Sequence, residues 1–329
     1  MRYSIVYAAL VASVSAHGVV TKITGANGVE MPGLSIADGT PRDCTTNRCG
    51  AQADTAIIRD RDIQSGKASP LGRTQGGGPI DAEAAVAMFM SGNAAEAKTA
   101  AKATTGVGKE DDLSGLPGGA PLRRAEKKKG AGAAGAAGGL TGLLGGLIPG
   151  GAGAAAGGAG ATGIGGLLGG GAAKTQNGPP ETMVAATAGS GASSGLPTCS
   201  DSGEVTMTFR QINQDGAGPL TAAIDPKSGG KDASAFQNAQ VTQDVPGLGI
   251  QGLSLATNSD FPVKVQMPQG MTCEGKMKDA ENVCIVRVQN GAAAGPFGGS
   301  AAFTQSKAAR KRAIAYRLRK RMEINRSLD

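Results

Sequence analysis

A long glycine-rich segment divides this chain of 329 residues into two parts that can form a core. Residues 130–173 are roughly half glycine, with alanine and leucine, and contain no charged residue. Glycine at this density loses too much backbone entropy on folding to form a stable domain by itself. We therefore predict that residues 105–195 are a disordered low-complexity insertion between two foldable pieces, residues 17–104 and 196–306.

The first residues of the chain have the features of a secretory signal peptide. Residues 1–16 contain one basic residue, a short apolar run and small residues before a cleavage site. The apolar run is too short for a transmembrane helix. Cleavage after Ala16 would leave His17 as the new N-terminus, and cleavage after Ser15 is the alternative. We therefore expect a secreted, extracellular protein, with cell-wall association as a further alternative.

His17 is the only histidine of the chain, which restricts the chemistry that the protein can perform. A chain with a single histidine cannot form a zinc site with two histidines, and a Ser-His-Asp triad would have to use His17 itself. An N-terminal histidine offers its α-amino and ring nitrogens to one metal ion, a donor set that suits Cu(II). Copper is therefore the one cofactor that the sequence suggests, with His17 as its ligand. The alternative is that His17 only begins the first strand.

Alternating apolar and polar residues predict short strands in the second foldable piece. The pattern is clear at residues 203–212 and 261–267. Residues 283–288 are mostly β-branched and apolar, and residues 300–305 close the series. Short strands with turn signals between them favour an antiparallel, immunoglobulin-like β-sandwich, so the protein is predicted to be mainly β. Residues 17–104 are expected to add strands to the same sandwich, although two small separate domains remain an alternative.

A short helix is predicted in the first piece, where Asp81 is placed to cap the apolar residues that follow it. The residues before it form a glycine loop, residues 72–79. This loop lacks the Lys-Ser or Lys-Thr ending of a phosphate-binding loop, so nucleotide binding is not predicted.

Five cysteines follow the signal peptide, and in a secreted chain most of them should be paired. Cys273 and Cys284 flank a turn-rich stretch before an apolar run, which predicts a hairpin clamped by a disulfide. Cys44 and Cys49 could close a small loop, or either could pair with Cys199. Because the number is odd, one thiol is left over or pairs between molecules.

The positive charge of the chain is concentrated at its C-terminus. Residues 307–329 hold nine Lys or Arg and two acidic residues, whereas residues 17–306 are nearly neutral. Ile314, Leu318 and Met322 are four residues apart, which predicts that the tail is helical. A nucleic-acid partner is not expected, because that hypothesis would rest on this tail alone and a secreted protein does not meet nucleic acid. No apolar stretch is long enough to predict a transmembrane span.

Neither a carbohydrate-binding surface nor a catalytic pair is evident from the residue types. Residues 17–306 contain no Trp or Tyr, the side chains that commonly bind flat polysaccharides. Asp215, Asp225 and Asp260 lie in turn-like contexts, so we expect them to bond local backbone. No catalytic residue is predicted.

Several stretches together resemble the fungal Egh-type family of secreted virulence factors, which includes the appressorium-specific Gas and Mas proteins. The matching stretches occur in the same order as in the family and cover most of the chain outside the insertion and the tail. They are TPRDCTTN at residues 40–47, ASPLGRTQGGGPIDA at 68–82, QINQDGAGPLTAAID at 211–225, VPGLGIQGLSLATNSDFPVKVQMPQGMTCEG at 245–275 and NVCIVRVQNGAAAGPFGGS at 282–300.

The family is in turn distantly similar to copper-dependent lytic polysaccharide monooxygenases, which implies a monooxygenase-like sandwich. In such enzymes the N-terminal histidine is one arm of a copper brace and a second histidine is the other. The resemblance implies that this second histidine would stand where the chain has Arg210. A guanidinium cannot replace an imidazole as a metal ligand, which argues against an enzyme.

The resemblance implies a secreted, virulence-associated protein that acts at the cell surface or host interface during appressorial penetration, without catalysis. Its expected partners are a host or fungal cell-wall polysaccharide or a host surface component. A copper-binding protein or copper-dependent polysaccharide oxidase that uses His17 is one alternative. A structural or adhesive cell-wall protein that uses the insertion and the basic tail is the other.

Overall fold

The computed structural model describes most of the two foldable pieces and the tail. The described residues are 17–44, 50–75, 77–92, 173–174, 179–214, 216–247, 254, 256–292 and 295–326. Residues 1–16, which are predicted to be a signal peptide, and most of the predicted insertion lie outside them.

The described part of the chain is mainly β. Its strands are β1 (Gly18–Thr24), β2 (Glu30–Pro32), β3 (Ala56–Ile57), β4 (Arg73–Thr74), β5 (Gly78–Pro79), β6 (Ala173–Lys174), β7 (Glu204–Gln211), β8 (Leu220–Asp225), β9 (Gln237–Gln243), β10 (Ser259–Gln266), β11 (Gly275–Met277), β12 (Ala280–Asn290) and β13 (Phe297–Thr304). Its α-helices are α1 (Asp60–Gln64), α2 (Ala82–Ser91), α3 (Met183–Thr187), α4 (Gly191–Ser194) and α5 (Lys307–Arg326).

The strands form one antiparallel sheet that curves into a half-barrel, and its two halves pack together as the layers of a sandwich. The order along the sheet is β2-β1-β7-β10-β9-β8-β12-β13-β3-β4-β5. Strand β9 pairs with β10 on one side and with β8 on the other, so it joins the two halves. Strand β1 packs against β13 so closely that a Cβ at Gly299 would lie 2.7 Å from the backbone nitrogen of Val20. The prediction of an antiparallel β-sandwich is confirmed.

Buried side chains, which alternate with more exposed ones along the strands, form the core between the two layers. In β10, every second side chain is buried, including Phe261, Val263 and Val265. They join Phe209 of β7 and Phe303 of β13 in one apolar cluster. Strands from both sides of the insertion therefore contribute to a shared sheet and a shared core, since β1 of the first piece pairs with β7 of the second.

The local predictions for α2 and for the clamped hairpin are confirmed. The carboxylate of Asp81 accepts hydrogen bonds from the backbone N–H groups of Glu83 and Ala84, as an N-cap does. Strands β11 and β12 form an antiparallel hairpin, and the Cys273–Cys284 disulfide joins its two flanks.

Of the two remaining cysteines within the described residues, one is a free thiol and the other is disulfide-bonded. Cys199 is a buried free thiol, and Cys44 is disulfide-bonded. The pairing of Cys44 with Cys199, one of the alternatives left open by the sequence, is therefore wrong. Cys49 lies outside the described residues.

Residues 179–195, which the sequence assigns to the end of the insertion, carry α3 and α4 and contact the sandwich. The Asp38 carboxylate accepts hydrogen bonds from the N–H groups of Val184 and Ala185, at 3.0 and 2.7 Å. Backbone hydrogen bonds also link Glu181 to Gly39 and Thr40. These long-range contacts hold the segment against the loop that follows β2.

The basic tail is helical, as the sequence predicts, and α5 is its 20-residue helix. Among the described helices, none combines the length and the apolar character needed to cross a bilayer.

Candidate functional site

His17 lies at the start of β1, inside the sandwich. Its side chain is fully buried, and its ring lies 4.4 Å from the ring of Phe297, measured between centroids. The carbonyl oxygen of His17 accepts a hydrogen bond from the N–H of Ile212 at 2.9 Å. Gly216 passes so close that a Cβ there would lie 2.0 Å from this oxygen, which only glycine permits. The beginning of β1 is thus enclosed by the loop after β7.

Arg210, which the resemblance aligns with the second arm of a copper brace, is a buried residue of β7. It lies opposite Val19 of β1 on one side and opposite Asp260 of β10 on the other. Its guanidinium donates to both carboxylate oxygens of Asp260, at 2.9 and 3.1 Å. It also donates to the side-chain oxygen of Asn258 and to the backbone carbonyl of Arg42. Its donors are therefore directed at structural acceptors within the fold.

A second buried arginine, Arg42, continues this network into the loop that follows β2. Its guanidinium forms a two-pronged ion pair with Asp54, whose side chain is completely buried. It also pairs with Glu181, with nitrogen–oxygen distances of 3.0 and 3.1 Å. Such forked geometry suits arginine because its planar guanidinium matches a carboxylate.

These residues form what we call the ionic cluster: Arg42, Asp54, Glu181, Arg210 and Asp260. Burial by itself would lower the pKa of Arg42, but the carboxylates of Asp54 and Glu181 outweigh it, so its pKa is raised above the usual value. Arg42 therefore stays charged over any pH at which the protein folds. Buried charges persist in folded proteins when they are paired and hydrogen-bonded, and this cluster meets that condition.

The described residues do not fit a copper brace. They contain no group of three or more His, Cys, Asp and Glu side chains arranged to hold a metal ion. The chain has no second histidine, and the position expected to supply one carries the cationic side chain of Arg210, which has no lone pair to give. Copper binding at His17 stays a prediction.

An open groove runs along the glycine loop. It has a volume of about 670 Å³, and its lining includes Ser35, Thr74, Asp81 and Lys231. The hydroxyl oxygen of Ser35 is buried and makes no hydrogen bond in the described structure. Lys231 forms an ion pair with Glu83 at the rim. The groove offers small polar groups and backbone to a ligand, and its lining contains no aromatic ring.

The prediction for Asp260 is wrong, whereas that for Asp225 is confirmed. Asp225 accepts hydrogen bonds from the backbone N–H groups of Lys227, Ser228 and Gly230 and so stabilises a turn. Asp260 instead lies within β10 and pairs across the sheet with Arg210. Asp215 lies outside the described residues.

The sequence reasoning missed Arg42, Asp54 and Glu181 altogether. One signal was available for Arg42, which is the central residue of the TPRDC motif at residues 40–44. A charged residue needs a counter-charge wherever the fold buries it. Nothing in the local sequence indicates that this counter-charge is Asp54 or Glu181.

Arg42 and Asp260 of the ionic cluster lie in the stretches that carry the resemblance, as do strands β8 and β10, and comparison with known proteins agrees with the resemblance. A profile for Egh16-like virulence factors matches residues 15–298. The chain therefore belongs to the Egh16-like virulence factor family.

Two relatives from the fungus Pyricularia oryzae illustrate the similarity. The chain is 47% identical over 309 residues to the appressoria-specific virulence factor GAS2, which covers 94% of this chain and 90% of that relative. It is 38% identical over 126 residues to the appressoria-specific virulence factor GAS1, which covers 37% of this chain and 49% of that relative. No solved structure matches the chain, so the likeness to monooxygenases is not confirmed.

Proposed function

We propose that this protein is secreted and acts at the cell surface or host interface during appressorial penetration, as a binding protein without catalysis. The family and the names of the relatives support a role in virulence. The location and the absence of catalysis are our inference from the sequence and the site.

One observation carries the non-catalytic part of this proposal: the guanidinium of Arg210 is buried and directed at Asp260, Asn258 and the carbonyl of Arg42. In a copper brace, position 210 would have to provide a histidine ligand. Here it carries an arginine whose charge is paired within the fold. Because a guanidinium stays protonated in proteins, no change of pH converts it into a ligand.

Secretion is supported by the cysteines as well as by the signal-like N-terminus. The Cys273–Cys284 disulfide closes a hairpin, and Cys44 takes part in a further disulfide. Disulfides form and persist in oxidising compartments and are rare in the cytosol. A protein with such bonds is suited to the extracellular side of a fungal cell.

A complementation experiment tests both parts. The gene is deleted in the producing fungus, and the strain is complemented with the wild-type chain, with a chain lacking residues 2–16, or with a chain carrying one Ala inserted between Ala16 and His17. The inserted Ala removes the amine ligand of a copper brace but keeps the imidazole and the core. We expect the Ala insertion to restore host penetration and the chain without the signal to fail.

Each arm has an outcome that contradicts the proposal. Penetration restored by the chain without residues 2–16 would argue against secretion. Failure of the Ala insertion, with normal secretion of that chain, would favour copper chemistry at His17. Mass spectrometry of the secreted wild-type chain verifies that its N-terminus is His17.

The groove along the glycine loop is our candidate for the contact with a wall polysaccharide or a host surface component. The variant Lys231→Glu reverses a charge at its rim, and we expect it to reduce retention of the protein on isolated fungal and host cell walls. Lys264→Glu is the matched control, since Lys264 is a partly exposed, ion-paired lysine that lies on β10 and not among the residues that line the groove. Equal retention of both variants and wild type would exclude the groove.

A further inference from the structure

The tail helix α5 is attached to the sandwich by one of its faces. Ala309 and Ala313 are buried against the domain. The side chain of Arg310 donates hydrogen bonds to the backbone carbonyl of Cys273 at 3.1 Å and to the side-chain oxygen of Asn282 at 2.8 Å. These contacts tie the first half of the helix to the clamped hairpin.

A second arginine fixes the middle of α5 in the same orientation. Arg317 donates to the backbone carbonyl of Gly270 at 2.6 Å and to the hydroxyl of Thr272 at 2.7 Å. Next to it, Tyr316 packs so tightly on Gly270 that a Cβ there would lie 2.9 Å from its ring. The helix is thus held at two points along its length, so its outward face has a defined direction.

The outward side of α5 carries a row of three aliphatic side chains, which we call the apolar stripe, and Lys307 and Lys311 lie on the same side of the helix. Ile314, Leu318 and Met322 are spaced by four residues, and 45%, 54% and 61% of their surfaces are exposed. At about 100° per residue, Leu318 lies roughly 140° around the helix from the buried Ala313. Among the described residues, every large hydrophobic side chain that is exposed lies on α5. The rest of the described surface has no comparable feature.

Positive charge surrounds this stripe. All nine basic residues of the tail lie within α5, which contains a single acidic residue, Glu323. Arg310 and Arg317 contact the domain, which leaves seven cations for another surface. Because residues 17–306 are nearly neutral, α5 is where the protein concentrates its positive charge.

We propose that α5 binds the headgroup region of an anionic lipid bilayer, with Ile314, Leu318 and Met322 inserted between the lipids and the flanking cations against their phosphates. Helices that lie in a membrane interface combine an apolar face with lysine and arginine. Each basic residue close to an anionic leaflet adds to the attraction. A nucleic acid or an acidic polymer would engage the cations but would gain nothing from three exposed aliphatic side chains.

This inference goes beyond the proposed function, since the family match ends at residue 298 and α5 begins at Lys307. Binding of a wall polysaccharide or a host component to the groove does not depend on it.

Flotation with lipid vesicles tests the proposal on the whole mature chain, with its mass checked to confirm that α5 is intact. We expect binding to vesicles of phosphatidylcholine mixed with phosphatidylserine and no binding to phosphatidylcholine alone. The triple variant Ile314→Ser, Leu318→Ser, Met322→Ser should lose about tenfold or more in vesicle affinity, because it removes the apolar area that the interface buries. Since the three side chains are exposed, its thermal unfolding should match that of wild type.

A matched charge variant and a polyanion separate lipid binding from simple electrostatic adsorption. Arg319→Gln with Arg321→Gln keeps the stripe and should weaken binding to the mixed vesicles. The triple serine variant keeps every cation, so it should elute from a heparin column at the same salt concentration as wild type. The proposal is overturned if wild type does not float with the mixed vesicles, if the serine variant floats as well as wild type, or if duplex DNA displaces wild type from the vesicles at equal charge concentration.

Discussion

Arg210 of β7 and Asp260 of β10 stand directly opposite each other in the sheet, and one guanidinium nitrogen of Arg210 contacts both carboxylate oxygens of Asp260. The side chain of Arg210 is 5% exposed and therefore buried, whereas the side chain of Asp260 is 28% exposed. It connects the two central strands of one layer to the loop that carries Arg42.

Replacing Arg210 should strongly destabilise the protein. The variant Arg210→Met leaves Asp260 without its counter-charge, and breaking a buried ion pair in this way costs about 3–5 kcal/mol. Chemical denaturation measures the loss in the free energy of unfolding. The matched control is Lys22→Met, which breaks the more exposed pair with Glu30 and should cost less than about 1 kcal/mol. Similar losses in both variants would contradict the structural role of the ionic cluster.

Glu181 should hold residues 179–195 to the sandwich through Arg42. In Glu181→Gln the ion pair with Arg42 is lost, so we expect a loss of about 1–3 kcal/mol and faster cleavage of this segment in limited proteolysis. Glu281→Gln makes the same chemical change at an exposed residue 4.0 Å from Lys276 and should leave the cleavage pattern unchanged. Cleavage at the wild-type rate in Glu181→Gln would show that the backbone contacts of Gly39 and Thr40 suffice.

The hairpin disulfide should contribute substantially to stability. Removing it as Cys273→Ala with Cys284→Ala frees a short loop in the unfolded chain, which costs about 3 kcal/mol. Cys199→Ala is the control, since it removes a buried sulfur that forms no disulfide. Thermal unfolding of the three proteins compares the effects. A double variant that is no less stable than the control would argue that the packing of α5 on the hairpin already fixes it.

The ion pair between Glu83 and Lys231 predicts a small pH dependence of stability. The hydrogen bond from Lys231 holds the pKa of Glu83 below its usual value. A carboxyl whose pKa is lower in the folded state stabilises the fold above its unfolded pKa of about 4.3, and this contribution disappears as the pH falls through the folded pKa.

Unfolding of wild type and Glu83→Gln, measured from neutral to acidic pH, tests this dependence. The two free energies of unfolding should differ by less than about 1 kcal/mol at neutral pH, because the pair is largely exposed, and should converge at acidic pH. A difference that grows as the pH falls would reverse the sign that we expect.

Much of the fold follows from local patterns in the sequence. Alternation predicts β7 and β10, because a strand exposes and buries side chains with a period of two. The β-branched, apolar run at residues 283–288 predicts β12. The N-cap at Asp81 and the Cys273–Cys284 hairpin depend on residues close together in the chain, so they too could be predicted.

What the sequence determined by itself is thus the long strands β7, β10 and β12, the clamped hairpin and the helical basic tail, since each depends on interactions between near neighbours. Only the tertiary structure decided the ionic cluster, because Arg42 meets Glu181 across 139 residues and Arg210 meets Asp260 across 50. A buried charge is stable only beside its counter-charge, and which residues meet is fixed by the pairing of distant strands and loops. The same holds for the direction of α5, whose apolar stripe faces outward because Ala309 and Ala313, on the opposite side of the helix, are buried against the sandwich.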